Sequence, residues 1–270
     1  MTTMRYVRAL DSSAAPESPF QRCRTQVLSH LESALMVATF LEPGGRGPSL
    51  HYHRRDKVYY VLEGTLHVLL GEEMHTAAAG TLVFVPAGLA HRAWNDGPAP
   101  VRLWEMVVPS PSPLAEVDLL VDSTADVPAE YVPDRQAYVR TVAPQSLTEA
   151  LPGMWVQTLA DAEAGSEHTT IFYVEVGPGD AGPDLHIHEF DQYYLVIEGQ
   201  LTVEVALQQH VVDAPALVLL PAGVPHRQYN DGAVTEKHLA VVSPNPEPGR
   251  PVDQKVLFCA RETVTAAAGG

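Results

Sequence analysis

Cysteine is nearly absent from this sequence. Cys23 and Cys259 lie near opposite ends of 270 residues, with no C-x-x-C pair and no run of evenly spaced cysteines. That argues against a disulfide framework or a thiolate metal site, and both thiols are expected to be small buried side chains. Basic residues are also scarce: 17 Lys plus Arg stand against 33 Asp plus Glu, a formal charge of -16. A field of that sign repels phosphate backbones and anionic lipid, so neither nucleic acid nor a membrane surface is an expected partner. No run of about 18 apolar residues occurs, and the opening MTTMRYVRALDSSAAPESPF lacks the apolar segment of a secretory signal. A cytoplasmic location is therefore expected. Helical periodicity is sparse too, residues 21–38, QRCRTQVLSHLESALMVA, being the one long stretch that admits it.

What is present is a repeat. At an offset of 135, GGRGPSLHYHRRDKVYYVLEGTLHV from position 44 falls on GDAGPDLHIHEFDQYYLVIEGQLTV from position 179 without a gap. The same offset pairs PAGLAHRAWNDG, residues 86–97, with PAGVPHRQYNDG, residues 221–232. One offset over both segments argues for two copies of one fold. Each copy reads as β-rich runs broken by Glu-Gly and by Pro-Ala-Gly, which predicts an all-β chain of two tandem antiparallel barrels or sandwiches. The expected division is a first domain over 1–112, a proline-rich linker or arm over 113–145, and a second domain over 146–270.

Two histidines at i and i+2 on a strand point to one face. His51 and His53 form such a pair, as do His186 and His188, and a third histidine follows each at a fixed distance, His91 and His226. Converging imidazoles inside a barrel need a partner, and three of them suit iron, manganese, nickel, copper or zinc. The other six, His30, His67, His75, His168, His210 and His238, show no such arrangement and are expected at the surface. Asp56 and Asp191 should face away from the histidines toward solvent, Arg92 and Arg227 should pair outward, and Asn95 and Asn230 should be turn residues.

These spacings resemble the two motifs of the cupins, G-x5-H-x-H-x3or4-E-x6-G and G-x5-P-x-G-x2-H-x3-N, and the double copy looks like a bicupin. Gly45, His51, His53 and Gly64 match the first motif, and Gly80, Pro86, Gly88, His91 and Asn95 the second; in the other copy His186, His188, Gly199, Pro221, Gly223, His226 and Asn230 match. The resemblance implies jelly-roll (double-stranded β-helix) barrels and leaves the reaction open, since the fold serves many chemistries. Where the family usually places a glutamate ligand, this chain has Lys57 in one copy and Gln192 in the other. Gln192 retains a carbonyl oxygen for a metal. Lys57 would repel a divalent ion about 4 Å away by roughly 8 kcal/mol at an effective dielectric near 20. It must be neutral, be drawn off by a carboxylate, or mark a site without metal.

The second copy is thus the expected active site, with His186, His188, Gln192 and His226 as ligands, a less secure site at His51, His53 and His91, and Tyr194 with Gln192 as proton-transfer candidates. Tyr59, Lys57 and Gln228 are expected to line pockets. The resemblance to gentisate- and quercetinase-type bicupins implies an Fe(II)-dependent dioxygenase taking O2 and a small chelating substrate: an enolisable ketone, a hydroxy-acid or a catecholic compound. Redox-neutral isomerase or lyase chemistry and a non-enzymatic sugar or small-ligand binder are the alternatives. Exposed sheet edges suggest a homodimer or a larger homo-oligomer.

Overall fold

The computed structural model describes residues 6–247 and 249–256, and Cys259 lies outside them. Four antiparallel sheets account for the fold, two per copy. In the first copy a six-stranded sheet, in the order Tyr138–Thr141, Thr81–Val85, Asp56–Glu63, Val101–Val108, Leu35–Leu41, Cys23–His30, faces a five-stranded sheet. That second sheet runs Leu119–Leu120, His51–Tyr52, His91–Trp94, Thr65–Leu70, Glu73–Ala78. The second copy repeats the plan with seven and five strands, so the expected all-β pair of barrels is present. Among the described residues no helix is long and apolar enough to cross a membrane.

Residues 21–38 are not helical. They form the antiparallel strands Cys23–His30 and Leu35–Leu41, paired from Cys23 with Leu41 to His30 with Leu35. Pairing within the sheet, together with burial of Leu28, Met36 and Ala38, overrides the weak helical period. Cys23 is buried, and burial raises its thiol to about 11.

The central strands Asp56–Glu63 and Asp191–Glu198 of the large sheets are buried on both faces, which is why VYYVL and YYLVI read as unbroken apolar runs. Tyr59 and Val61 point into the first barrel with Leu66, Val68 and Leu103. Val58 and Tyr60 point the other way, into a second core shared with Tyr193, Leu195, Leu217 and Leu239 of the other copy. The two barrels therefore pack through their large sheets. They also exchange edge strands: Val7–Ala9 pairs with Ala216–Leu220 of the second copy, and Tyr138–Thr141 pairs with Thr81–Val85 of the first. The exchanged strands share the sequence Tyr-Val-Arg, at 6–8 and 138–140, at an offset of 132 rather than 135.

Asp56 and Asp191 are not the solvated residues expected from alternation. Asp56 is 1% exposed; it accepts the backbone N–H of Ala87 at 2.9 Å and both guanidinium nitrogens of Arg135 at 2.8 Å. Asp191 accepts the N–H of Ala222 at 2.9 Å and the hydroxyl of Ser33, from the first copy, at 2.6 Å. Each aspartate thus holds a Pro-Ala-Gly turn in place. The turn glycine completes the fixture: Gly88 donates its N–H to the His53 carbonyl at 2.7 Å, and Gly223 donates to that of His188 at 2.8 Å. Gly88 has φ of +86°, and a Cβ there would lie 1.4 Å from the Tyr131 carbonyl oxygen, so no other residue fits.

Asp56→Ala leaves the Arg135 charge without its partner and the Ala87 N–H unpaired. It is expected to destabilise the protein by roughly 3–5 kcal/mol in denaturant titration, against about 1 kcal/mol for the more open Asp191→Ala. Equal effects would show that the ion pair contributes little.

Candidate metal centres

The turns deliver a third histidine to each H-x-H strand. His51 is the cross-strand partner of His91, and His186 of His226. In each copy three buried histidines offer ring nitrogens lying within 4.8 Å of one another. Five of the six are fixed in orientation from behind. Nδ1 of His51 lies 2.7 Å from the Ser49 carbonyl, that of His53 2.9 Å from Val117, that of His91 2.8 Å from Leu89, that of His186 2.6 Å from Asp184, and that of His226 2.9 Å from Val224. A carbonyl only accepts, so Nδ1 carries the proton and the Nε2 lone pair faces the cluster. The buried Nε2 atoms of His53 and His91 have no hydrogen-bond partner. Converging, unpartnered lone pairs with backbone-anchored Nδ1 atoms are the arrangement a divalent transition-metal ion requires of imidazole ligands.

The two copies differ beside the triads. Lys57 is paired with Glu105 at 2.5 Å, the carboxylate-bound state among the three foreseen for it. Glu105 was not anticipated. It sits diagonally across two strands, where Glu105 registers with Tyr59 and Lys57 with Val107. A cavity of about 130 Å3 opens here, lined by His51, Lys57, Tyr59, Glu105 and Asp118. Tyr59 is buried, and burial holds its hydroxyl well above the ordinary tyrosine range.

In the second copy Ala93 is replaced by Gln228, whose amide reaches over Gly182; a Cβ on that glycine would lie 2.7 Å from Gln228 Nε2. Tyr194 donates its single O–H to Gln228 Oε1 at 2.7 Å, with Gln192 Oε1 3.2 Å from the same oxygen. Burial raises the Tyr194 pKa, so the phenol keeps its proton and stands as a hydrogen-bond donor. Gln192 Oε1 faces His226 Nε2 across 3.0 Å. With the His226 proton on Nδ1 these are two lone pairs at the spacing of neighbouring ligands, which a shared cation would relieve.

His238 corrects the expectation of a surface residue. It is fully buried, its Nδ1 lies 2.8 Å from the equally buried Glu236, and its ring stands 4.9 Å from Tyr194. Glu236 and His238, two apart on one strand, share a face, which is what permits the burial. Other expectations hold: Arg227 pairs outward with Glu204 at 2.7 Å, and Asn95 and Asn230 each accept the N–H of the glycine two residues on at 2.9 Å. Arg92 instead lies over the Trp94 ring.

Sequence reading also missed Asp118 and Asp253. Asp118 Oδ1 is 3.7 Å from Nε2 of both His51 and His53; Asp253 Oδ1 is 3.9 Å from that of His186 and 3.3 Å from that of His188. The signal was available, because extending the offset of 135 aligns PSPSPLAEVD, residues 109–118, with PNPEPGRPVD, residues 244–253.

Burial holds His51, His53, His91 and His186 below the ordinary histidine range, and His226 down to about 3. The unfolded chain therefore takes up protons below about pH 6.5 that the folded metal-free protein does not, and stability falls as pH falls. Thermal melts of metal-free protein between pH 7 and 5 should show this decline, at up to about 1.4 kcal/mol per pH unit for each histidine. A His91→Gln variant should have a shallower slope; parallel profiles for the two proteins would contradict the assignment.

Known proteins share this architecture. The cupin-domain family matches twice, over residues 39–109 and 172–242. An uncharacterized protein of Streptomyces coelicolor is 34% identical over 61 residues, 23% of this chain, and the chain spans only 58% of that relative's length. The solved structure of a putative glyoxylate induced protein from Pseudomonas aeruginosa is similar with a TM-score of 0.70 at 18% identity, over 89% of both chains. Bacillus subtilis oxalate decarboxylase, in a structure concerned with its Mn(II) centers, is similar with a TM-score of 0.66 at 18% identity, over 95% of this chain and 80% of that one. Identities this low speak to the fold. The two cupin-domain matches together span more than half of the sequence, and the chain belongs to the cupin family, carrying its domain twice.

Proposed function

We propose that this protein is a metal-dependent enzyme acting on a small, metal-chelating organic acid, with the reaction in the first copy rather than the second. The observation that carries this reading is the cavity of about 130 Å3 beside His51, which holds the Lys57–Glu105 pair. An engineered cavity of about 150 Å3 takes benzene, so the space suits a substrate of roughly six non-hydrogen atoms and is small for a flavonol. A hydroxy-acid, a keto-acid or a small dicarboxylate fits, and the similarity to Bacillus subtilis oxalate decarboxylase lends support to that class.

When bound, a divalent ion supplies Lewis acidity toward substrate oxygens. The protein's own groups do the rest. An incoming carboxylate or enolate competes with Glu105 for the Lys57 ammonium, which anchors it. Release from that ion pair frees the Glu105 carboxylate to accept a proton from the substrate. Tyr59, held protonated, donates a hydrogen bond. Proton transfer of this kind serves redox-neutral isomerisation or lyase chemistry. An Fe(II) dioxygenase is the second reading, favoured by the many ligand positions that three histidines leave open for substrate and O2.

Protein loaded separately with Fe(II) and Mn(II) should be assayed with C2–C6 hydroxy-, keto- and dicarboxylic acids, following product and O2 together. Turnover without O2 uptake is expected, with Lys57→Met and Glu105→Gln each lowering kcat about 100-fold or more and Gln192→Leu having little effect. Stoichiometric O2 uptake would establish the second reading. Loss of turnover in Gln192→Leu with Lys57→Met unaffected would move the reaction to the second copy.

A further inference from the structure

Neither copy carries, at the position after its H-x-H pair where the cupin motif places a glutamate, a carboxylate to offset the charge of a bound ion, since Lys57 and Gln192 stand there. A carboxylate nevertheless reaches each triad from elsewhere in the chain. After its last long strand each copy continues into a proline-rich stretch of sequence, 109–117 and 244–252, followed by a short added strand. Leu119–Leu120 pairs with His51–Tyr52, and Gln254–Lys255 pairs with His186–Ile187. In both copies the residue just before the added strand is an aspartate, Asp118 or Asp253. From this geometry, and resting on the reading of the triads as metal centres, we infer that Asp118 and Asp253 are the carboxylate ligands of the two ions, delivered by the arm in place of the missing glutamate.

Three observations converge on this. Two donors held at about 2.1 Å from one ion stand roughly 3.0–3.4 Å apart. Asp253 Oδ1 lies 3.3 Å from His188 Nε2, within that range, and Asp118 Oδ1 lies 3.7 Å from Nε2 of both His51 and His53, a few tenths of an ångström beyond it. The arm also orients a ligand: the carbonyl of Val117, adjacent to Asp118, fixes Nδ1 of His53. Finally, the arrangement occurs twice at the offset of 135, although the arms agree at few other positions beyond their prolines and the Val-Asp pair. A surface aspartate near a histidine by chance has no reason to recur in the partner barrel.

The consequence is chemical. Each centre gains one carboxylate beside its three imidazoles, which suits Mn(II) or Fe(II) better than neutral ligands alone and lowers the net positive charge at the site. The arm becomes part of the centre, so metal binding and arm docking are linked.

The test is Co(II) titration of the chelator-treated full chain, following the visible d–d bands and the number of ions bound. His226→Ala isolates the first site and His91→Ala the second. Wild type should take up two ions. Asp118→Asn in the His226→Ala background, and Asp253→Asn in the His91→Ala background, should each weaken binding roughly 10- to 100-fold and shift the bands, with Asp→Glu variants recovering part of the affinity. Far-UV circular dichroism verifies that the variants are folded. Wild-type affinity and unchanged bands in both Asp→Asn proteins overturn this assignment while leaving the metal centres standing. Failure of wild type to bind Co(II) overturns both.

Discussion

Everything at the two sites depends on a backbone carbonyl taking the Nδ1 proton of a buried imidazole. Without that bond the ring would be free to present either nitrogen, and three of them in a barrel would satisfy one another. With it, His51, His53, His91, His186 and His226 are each bound to a carbonyl 2.6–2.9 Å away, and the remaining lone pairs converge. The carbonyls belong to residues whose positions the fold sets rigidly. Two lie two residues ahead of the first histidine of each pair, two lie in the Pro-Ala-Gly turns, and one lies in the arm. The aspartates at 56 and 191, the turn glycines and the arms therefore serve one end: they hold acceptors still behind the histidines.

On this shared frame the copies diverge at a handful of inward positions. Ala93, Leu103 and Glu105 in the first copy stand where Gln228, His238 and Ala240 stand in the second, as Lys57 stands where Gln192 does. The first set leaves a cavity containing an ion pair. The second fills the interior with a chain of amide and phenol hydrogen bonds above a buried Glu236–His238 pair. An ion pair inside a cavity can be exchanged for a charged ligand, whereas a satisfied network resists insertion of one. The Lys57–Glu105 pair also removes the objection to a cation at the first triad, because the ammonium is already neutralised.

Much of this was legible in the sequence, and what was not has identifiable causes. The offset of 135 exposed the two barrels and all six histidines, because an i, i+2 pair and a Pro-Ala-Gly turn are local patterns. Asp118 and Asp253 lie about 65 residues beyond the H-x-H pairs and reach them through strand pairing, which spacing does not reveal. Glu105 meets Lys57 on a diagonal between strands for the same reason. Asp56, Asp191 and His238 were misplaced because alternation assigns a face and not what covers it: Arg135, Ser33 and the Ala87 and Ala222 amides meet the aspartates, and Glu236 and Tyr194 meet His238. The helical period that residues 21–38 admit is not realised because a weak local period yields to sheet pairing on both sides of a turn.

The central claim is that each triad is a metal centre. A crystal structure of protein loaded with Mn(II) or Fe(II), with diffraction recorded above and below the metal absorption edge, tests it most directly. The account predicts one anomalous peak among Nε2 of His51, His53 and His91 and a second among those of His186, His188 and His226, each with the nearby aspartate within bonding distance. Metal-loaded crystals with no anomalous peak at either triad would contradict it.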